Sequence, residues 1–211
     1  MADLIEQAGG AGSDQDARAL AVSCRSVAEL REALVSFEGC ALKKTAMNLC
    51  FGDGNPDANV MFIGEAPGSE EDRQGVPFVG PSGRLLDRML DAAGMPRSSI
   101  FITNVVFWRP PGNRSPTADE LAVCQPFIDR LITLVAPRIL VAVGGIAARA
   151  VLGVNEGVTR LRGRRFVHRG EDQLERPATV MFHPAYLLRQ PLHKGLAWRD
   201  LLQIRSWLDD G

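Results

Sequence analysis

Long apolar runs, paired cysteines and a charge excess of either sign are all missing from this 211-residue chain. No stretch approaches the roughly 20 apolar residues that cross a bilayer. The start, Met1-Ala2-Asp3-Leu4-Ile5-Glu6, lacks the basic region and apolar core of an export signal. A cytoplasmic protein with no membrane partner is the expectation. Cysteine is scarce: Cys24, Cys40, Cys50 and Cys124 form no C-x-x-C pair and match no zinc template. Reduced, mostly buried thiols are expected of them. The formal net charge of −1 excludes a protein that coats polyanions indiscriminately, while local contacts to phosphate stay open. Phosphate-cradling loops are missing too, because no lysine follows the glycines of residues 64–68 and their spacing is not G-x-G-x-x-G.

With 45% hydrophobic and 23% charged residues, a chain of this length reads as one domain with a full core. Residues 1–22, which include Gly9-Gly10-Ala11-Gly12-Ser13, read as a flexible leader, and 23–211 as a single domain. Short apolar runs at Val60–Gly64, Ile100–Val106, Arg138–Val143 and Thr179–Phe182 read as buried parallel strands, with Phe166–His168 as an added edge strand. Helical patterns alternate with them: after a capping box at Ser26 and Glu29, at Ser82–Ala93, over Thr117–Val135, after Gly144-Gly145, and at Trp198–Leu208. Gly153–Pro177, rich in glycine and arginine, reads as an insertion or mobile loop. This alternation predicts the α/β class: a three-layer α/β/α sandwich around a central, mainly parallel four-stranded sheet.

In such a sheet, ligands bind at the carboxyl ends of the strands. Two segments stand there, Gly64-Glu65-Ala66-Pro67-Gly68 and His183-Pro184-Ala185-Tyr186-Leu187-Leu188-Arg189. The glycines permit close approach of backbone to a ligand. Glu65, Glu70, Glu71 and Asp72 serve either chemistry or an acidic helix start. Phe78, in a Gly/Pro-rich loop, either stacks on a flat ligand or plugs the core. Asn104 is an amide inside an apolar strand, able to read a pyrimidine edge or to bond loop backbone. His183 can act as a neutral hydrogen-bonding group, as a charged stabiliser, or merely as a cap on the sheet. Leu187 and Leu188 are too apolar for an exposed loop and suggest a wedge or a partner surface. Arg160-Leu161-Arg162-Gly163-Arg164-Arg165 is the one dense basic patch, either a phosphate grip or a solvated loop.

Taken in order, five stretches resemble the uracil-DNA glycosylase superfamily, and most closely its family 4, the iron–sulfur type. They are Gly64 to Asp72, Gly75-Val76-Pro77-Phe78-Val79-Gly80, Asn104-Val105-Val106, Arg109-Pro110-Pro111-Gly112-Asn113-Arg114, and His183 to Arg189. The resemblance breaks at the metal. Family 4 enzymes hold a [4Fe–4S] cluster on four cysteines. Here Cys40 and Cys124 match two of those positions, and Phe37 and Trp108 stand at the other two. No cluster and no metal site are therefore expected. Some cluster-containing relatives trap DNA covalently through a histidine in an inserted basic loop. No such insert separates Asn104-Val105-Val106 from Arg109, so ordinary turnover is expected.

The resemblance implies a DNA repair enzyme that flips uracil out of single- or double-stranded DNA and hydrolyses its N-glycosidic bond, leaving an abasic site. Glu65, Glu71, His183 and Asn113 would be catalytic, and Gly64, Ala66, Gly68, Phe78 and Asn104 would bind the base. Ser82, Arg114, Tyr186, Leu187, Leu188, Arg189, Arg162 and Arg164 would contact DNA, with Leu187 filling the space the base vacates. A monomer acting at the bacterial nucleoid, with no cofactor, completes the expectation. Two rivals from other classes are a catalytically silent nucleic-acid-binding module of the same fold and a nucleotide hydrolase holding Mg²⁺ on its acidic loop.

Overall fold

The computed structural model describes residues 15–210. Six strands form one sheet: β1 (Asp53–Gly54), β2 (Val60–Gly64), β3 (Phe101–Asn104), β4 (Ile139–Val143), β5 (Phe166–Arg169) and β6 (Glu175–Met181). Their order is β1-β3-β2-β4-β6-β5, with the inner four parallel and both edges antiparallel. The sheet is thus wider than the four strands expected. β5 is the anticipated edge strand, while β1 has two residues, too few for any periodicity to reveal.

Nine helices surround the sheet among the described residues: α1 (15–23), α2 (Val27–Ser36), α3 (Ser69–Gln74), α4 (Pro81–Ala92), α5 (Ala118–Val135), α6 (Gly145–Leu152), α7 (Val158–Leu161), α8 (Pro184–Arg189) and α9 (Lys194–Asp209). None is long and apolar enough to cross a membrane. Successive strand residues face opposite layers. Met61, Ile63, Leu140 and Ala142 pack on one side with α2, α5 and α6 through Leu30, Phe127 and Ala148. Val60, Phe62, Val141 and Val143 pack on the other with α4 and α9 through Leu86, Leu90 and Leu201. Both caps legible in the sequence form. The Ser26 hydroxyl accepts from the Glu29 amide, but the expected box does not close because the Glu29 carboxylate accepts from the Arg25 amide; Thr117 and Glu120 complete a reciprocal capping box that starts α5.

Two boundaries move. The leader expected over residues 1–22 includes α1, whose Ala17 and Ala21 are fully buried in the core, so ordered structure begins earlier than composition suggested; residues 1–14 lie outside the described residues. Residues 153–177 are not one loop, since they hold α7, β5 and the start of β6.

The basic patch also changes meaning. Arg162 donates from Nε and Nη2 to the two carboxylate oxygens of Asp200 on α9, at 3.0 and 2.5 Å, and Nη2 also reaches the Leu196 carbonyl. Asp200 is 2% exposed, so this pair is a buried clamp and not a phosphate grip. Arg164 lies over the Phe166 ring at 5.2 Å and 3.5 Å from Glu156. Removing one partner of a buried pair strands the other charge. Arg162→Met is accordingly expected to lower unfolding free energy by about 3 kcal/mol or more in denaturant titration, and an unchanged midpoint would refute the clamp.

Candidate active site

β2, β3 and β6 end at one edge of the sheet, and the loops that follow enclose a cavity of about 540 Å³. Glu65, Ala66, Gly68, Glu71, Phe78, Ser82, Asn104, Asn113, Arg114, His183, Tyr186 and Arg189 all line it, as do Pro67 and Ala185, which the sequence did not single out. Gly64, Leu187, Leu188, Arg162 and Arg164 do not.

Gly64 pairs with Asn104 across the parallel ladder. A Cβ on residue 64 would lie 2.4 Å from Asn104 Oδ1 and 2.5 Å from Phe78 Cζ. Only glycine leaves room for both groups at this point. Asn104 is 1% exposed, and its Oδ1 has no hydrogen-bond partner among the described residues. A buried carbonyl oxygen without a donor is costly unless a ligand supplies one. The alternative, an amide bonded to loop backbone, does not hold for this oxygen.

The four acids after β2 separate by environment. Glu70 pairs with Arg73, which holds its carboxyl below the usual range. Asp72 is buried and accepts from the Met47 and Asn48 amides, pinning that segment. Glu71, expected to be catalytic, is 9% exposed and accepts at Oε1 from the Val79 and Gly80 amides at 3.0 and 2.8 Å. It holds the Phe78 loop while lining the cavity. Gly68 leaves space for this carboxylate, since a Cβ there would sit 2.8 Å from Glu71 Oε2. Glu65 is only half-buried, faces the cavity, and accepts from Ser115 Oγ at 2.9 Å. Ser115 was missed because a serine between Arg114 and Pro116 carries no pattern.

His183 is the N-cap of α8, and the Ala185 amide donates to its Nδ1 at 3.1 Å. That bond assigns the neutral ring's proton to Nε2. Burial, reinforced by the Arg189 cation and opposed by Glu71, lowers the imidazole pKa to about 4. At neutral pH the ring is therefore uncharged, with Nε2–H as its donor. Phe78 stacks near it, with ring centroids 5.7 Å apart and planes inclined by 30°.

The rim is braced. Asn113, at φ +56°, accepts from Arg109 Nε at 2.7 Å, so its carboxamide oxygen orients the loop. Arg114 forms a fork with Glu120 at 2.8 and 2.6 Å while still lining the cavity. Leu187 corrects the expected wedge: it is fully buried against α4 and α9. Each helical residue turns about 100°, so the next one, Leu188, faces outward and is 41% exposed. Leu192, beyond the helix, is 93% exposed.

The cysteine positions do not fit a four-thiolate cluster. The neighbouring Cys40 thiol, together with burial, pushes the Cys124 thiol well above the usual thiol value. Phe37 packs edge-on against Phe127 at 5.0 Å and covers Gly39, and Trp108 is 2% exposed against Phe107. Two thiols and two aromatic rings supply half of the required donors.

The family model described as Uracil DNA glycosylase superfamily matches residues 51–202. The chain is 37% identical over 186 residues to a type-4 uracil-DNA glycosylase of Sulfurisphaera tokodaii, covering 86% of this chain and 84% of the relative. It is 39% identical over 172 residues to that of Thermotoga maritima, covering 80% and 88%. With that of Pyrobaculum aerophilum it shares 36% over 183 residues, 82% and 90%.

The tautomer is directly measurable. ¹⁵N NMR of labelled His183 is expected to show neutral imidazole protonated at Nε2 throughout pH 6–8, titrating only near pH 4. An imidazolium at pH 6 would overturn the assignment. Because the folded pKa lies below the free value of 6.5, the unfolded chain binds the extra proton, and His183 withdraws stability as pH falls from about 6.5 towards 4.

Proposed function

The chain belongs to the uracil-DNA glycosylase superfamily, and on that premise we propose that it extrudes uracil from DNA, hydrolyses the N-glycosidic bond and stops at the abasic site, without a metal. The observation that carries this reading is the buried, unpartnered Oδ1 of Asn104, a residue that lines the same cavity as an uncharged His183. Uracil offers N3–H to that oxygen and O4 to the amide nitrogen. Cytosine has no hydrogen at N3 and an amino group at position 4, so it mismatches at both.

As the glycosidic bond breaks, negative charge grows on the uracil and positive charge on the sugar. His183 Nε2–H donates to uracil O2 and stabilises the leaving anion, an effect worth several kcal/mol in a dry pocket. Glu65, oriented by Ser115, holds the attacking water and faces the sugar cation. Ala66 stands where relatives with a stronger base carry aspartate, which leaves this task to Glu65. Phe78 stacks on the ring. Flipping the base costs a few kcal/mol, least for an unpaired uracil. Arg189, Arg114 and Ser82 line the mouth, where they suit DNA phosphates. Leu188 and Leu192 take the wedge role first given to Leu187, since both present apolar surface to solvent. The Cys40–Cys124 pair and its aromatic neighbours support a fold that stands without a cluster.

The test uses uracil-containing oligonucleotides with alkali-revealed strand breaks. The wild-type protein is expected to cut in EDTA, and His183→Ala and Asn104→Ala each to lose about tenfold or more in single-turnover rate while staying folded. Wild-type rates in both variants would sink the reading. Stoichiometric iron with a broad visible absorbance would refute the cluster-free part. A separate comparison addresses the wedge: Leu188→Ala should slow excision from duplex more than from single strands, and equal losses on both would exclude it.

A further inference from the structure

Phe78 combines two unusual properties: its ring forms a wall of the cavity, and its backbone is left-handed at φ +56°. An aromatic residue rarely adopts that conformation, which persists only where the surroundings impose it. The source of the constraint lies outside the cavity. Arg97, in the turn before β3, makes four hydrogen bonds from one guanidinium. Nη1 donates to the Phe78 carbonyl at 3.1 Å and to Asp87 at 3.0 Å, Nη2 donates to the Pro77 carbonyl, and Nε donates to Asp53 at 2.5 Å. On the far side, Glu71 accepts from the next two amides, Val79 and Gly80. Two consecutive carbonyls therefore point at a cation and the two following N–H groups at an anion. Gly83 completes the seat, because a Cβ there would lie 1.8 Å from the Phe78 carbonyl oxygen.

We propose that Arg97 is a positioning residue: it sets the Phe78 ring as a preformed platform and thereby raises excision of uracil without touching the base. This rests on the reading in which Phe78 stacks on uracil. Arginine suits the task because its planar fork reaches both carbonyls together, whereas a lysine ammonium is a compact point charge on a flexible stem. Asp53 and Asp87 hold the fork in plane, and the strained backbone is then fixed before substrate arrives.

The test pairs Arg97→Met with Phe78→Ala in a double-mutant cycle of single-turnover excision on single-stranded uracil DNA. Misplacing a contact by about 1 Å can cost up to 10²-fold. Arg97→Met is thus expected to lose about tenfold in the presence of Phe78 and less than about twofold in the Phe78→Ala background. Equal losses in both backgrounds would overturn the proposal, as a purely structural role predicts. If Arg97→Met does not fold, Arg97→Lys takes its place, with a smaller loss expected and the same dependence on Phe78. A second readout is independent of activity: 4-fluorophenylalanine at residue 78 should give one ¹⁹F line that shifts and broadens on Arg97→Met. An unmoved line would refute Arg97 positioning, whereas wild-type protein that leaves uracil DNA uncut would refute only the stacking reading.

Discussion

Gly64 and Asn104 lie side by side at the carboxyl ends of two parallel strands, and the space a side chain on residue 64 would fill holds the Asn104 oxygen and the tip of the Phe78 ring. Much of the cavity follows from that contact. The parallel register brings the loops after β2, β3 and β6 to one edge. The missing Cβ lets two groups from different loops meet over a strand. The buried amide oxygen is left without a donor on a residue that lines the cavity, an unsatisfied acceptor in the molecule.

Around this contact, groups of the same chemical type diverge by environment. Three carboxylates of one short acidic run hold an arginine, a distant backbone segment and the Phe78 loop. The fourth, Glu65, stays half-exposed with one serine to orient it. Opposite it stands a histidine kept neutral by burial and by a nearby cation. A half-exposed carboxylate and a neutral N–H donor flanking one pocket are suited to a reaction that separates charge between sugar and leaving group. Neither assignment is visible in residue type alone.

The region around Cys40 and Cys124 is packed with aromatic rings. Phe37 and Trp108 fill volume with apolar rings that pack against Phe127 and Phe107. Such packing contributes through burial, which is non-directional and independent of redox state. Cys50, also buried, donates to the Glu71 carbonyl, and burial pushes its thiol up to about 12. The Cys50 and Cys124 thiols are thereby held protonated within the core.

The sequence by itself determined the class and the alternation of strands and helices, and its resemblance to a family marked most of the cavity lining. Runs such as Val60–Ile63 are apolar on both faces, and glycines beside a strand end announce close approach, so local composition carried the class and the edge where ligands bind. It also determined both helix caps, because capping is local. Tertiary structure decided the rest. Leu187 turned inward and Leu188 outward through the phase of a six-residue helix too short to show periodicity. Arg162 found Asp200 across 38 positions of chain, and Arg97 found Pro77 and Phe78 across about 20, where no spacing rule applies. Which acid braces a loop and which one faces the cavity depends on the partners that folding brings within hydrogen-bond distance. Those partners are fixed by packing in three dimensions, not by neighbours in sequence.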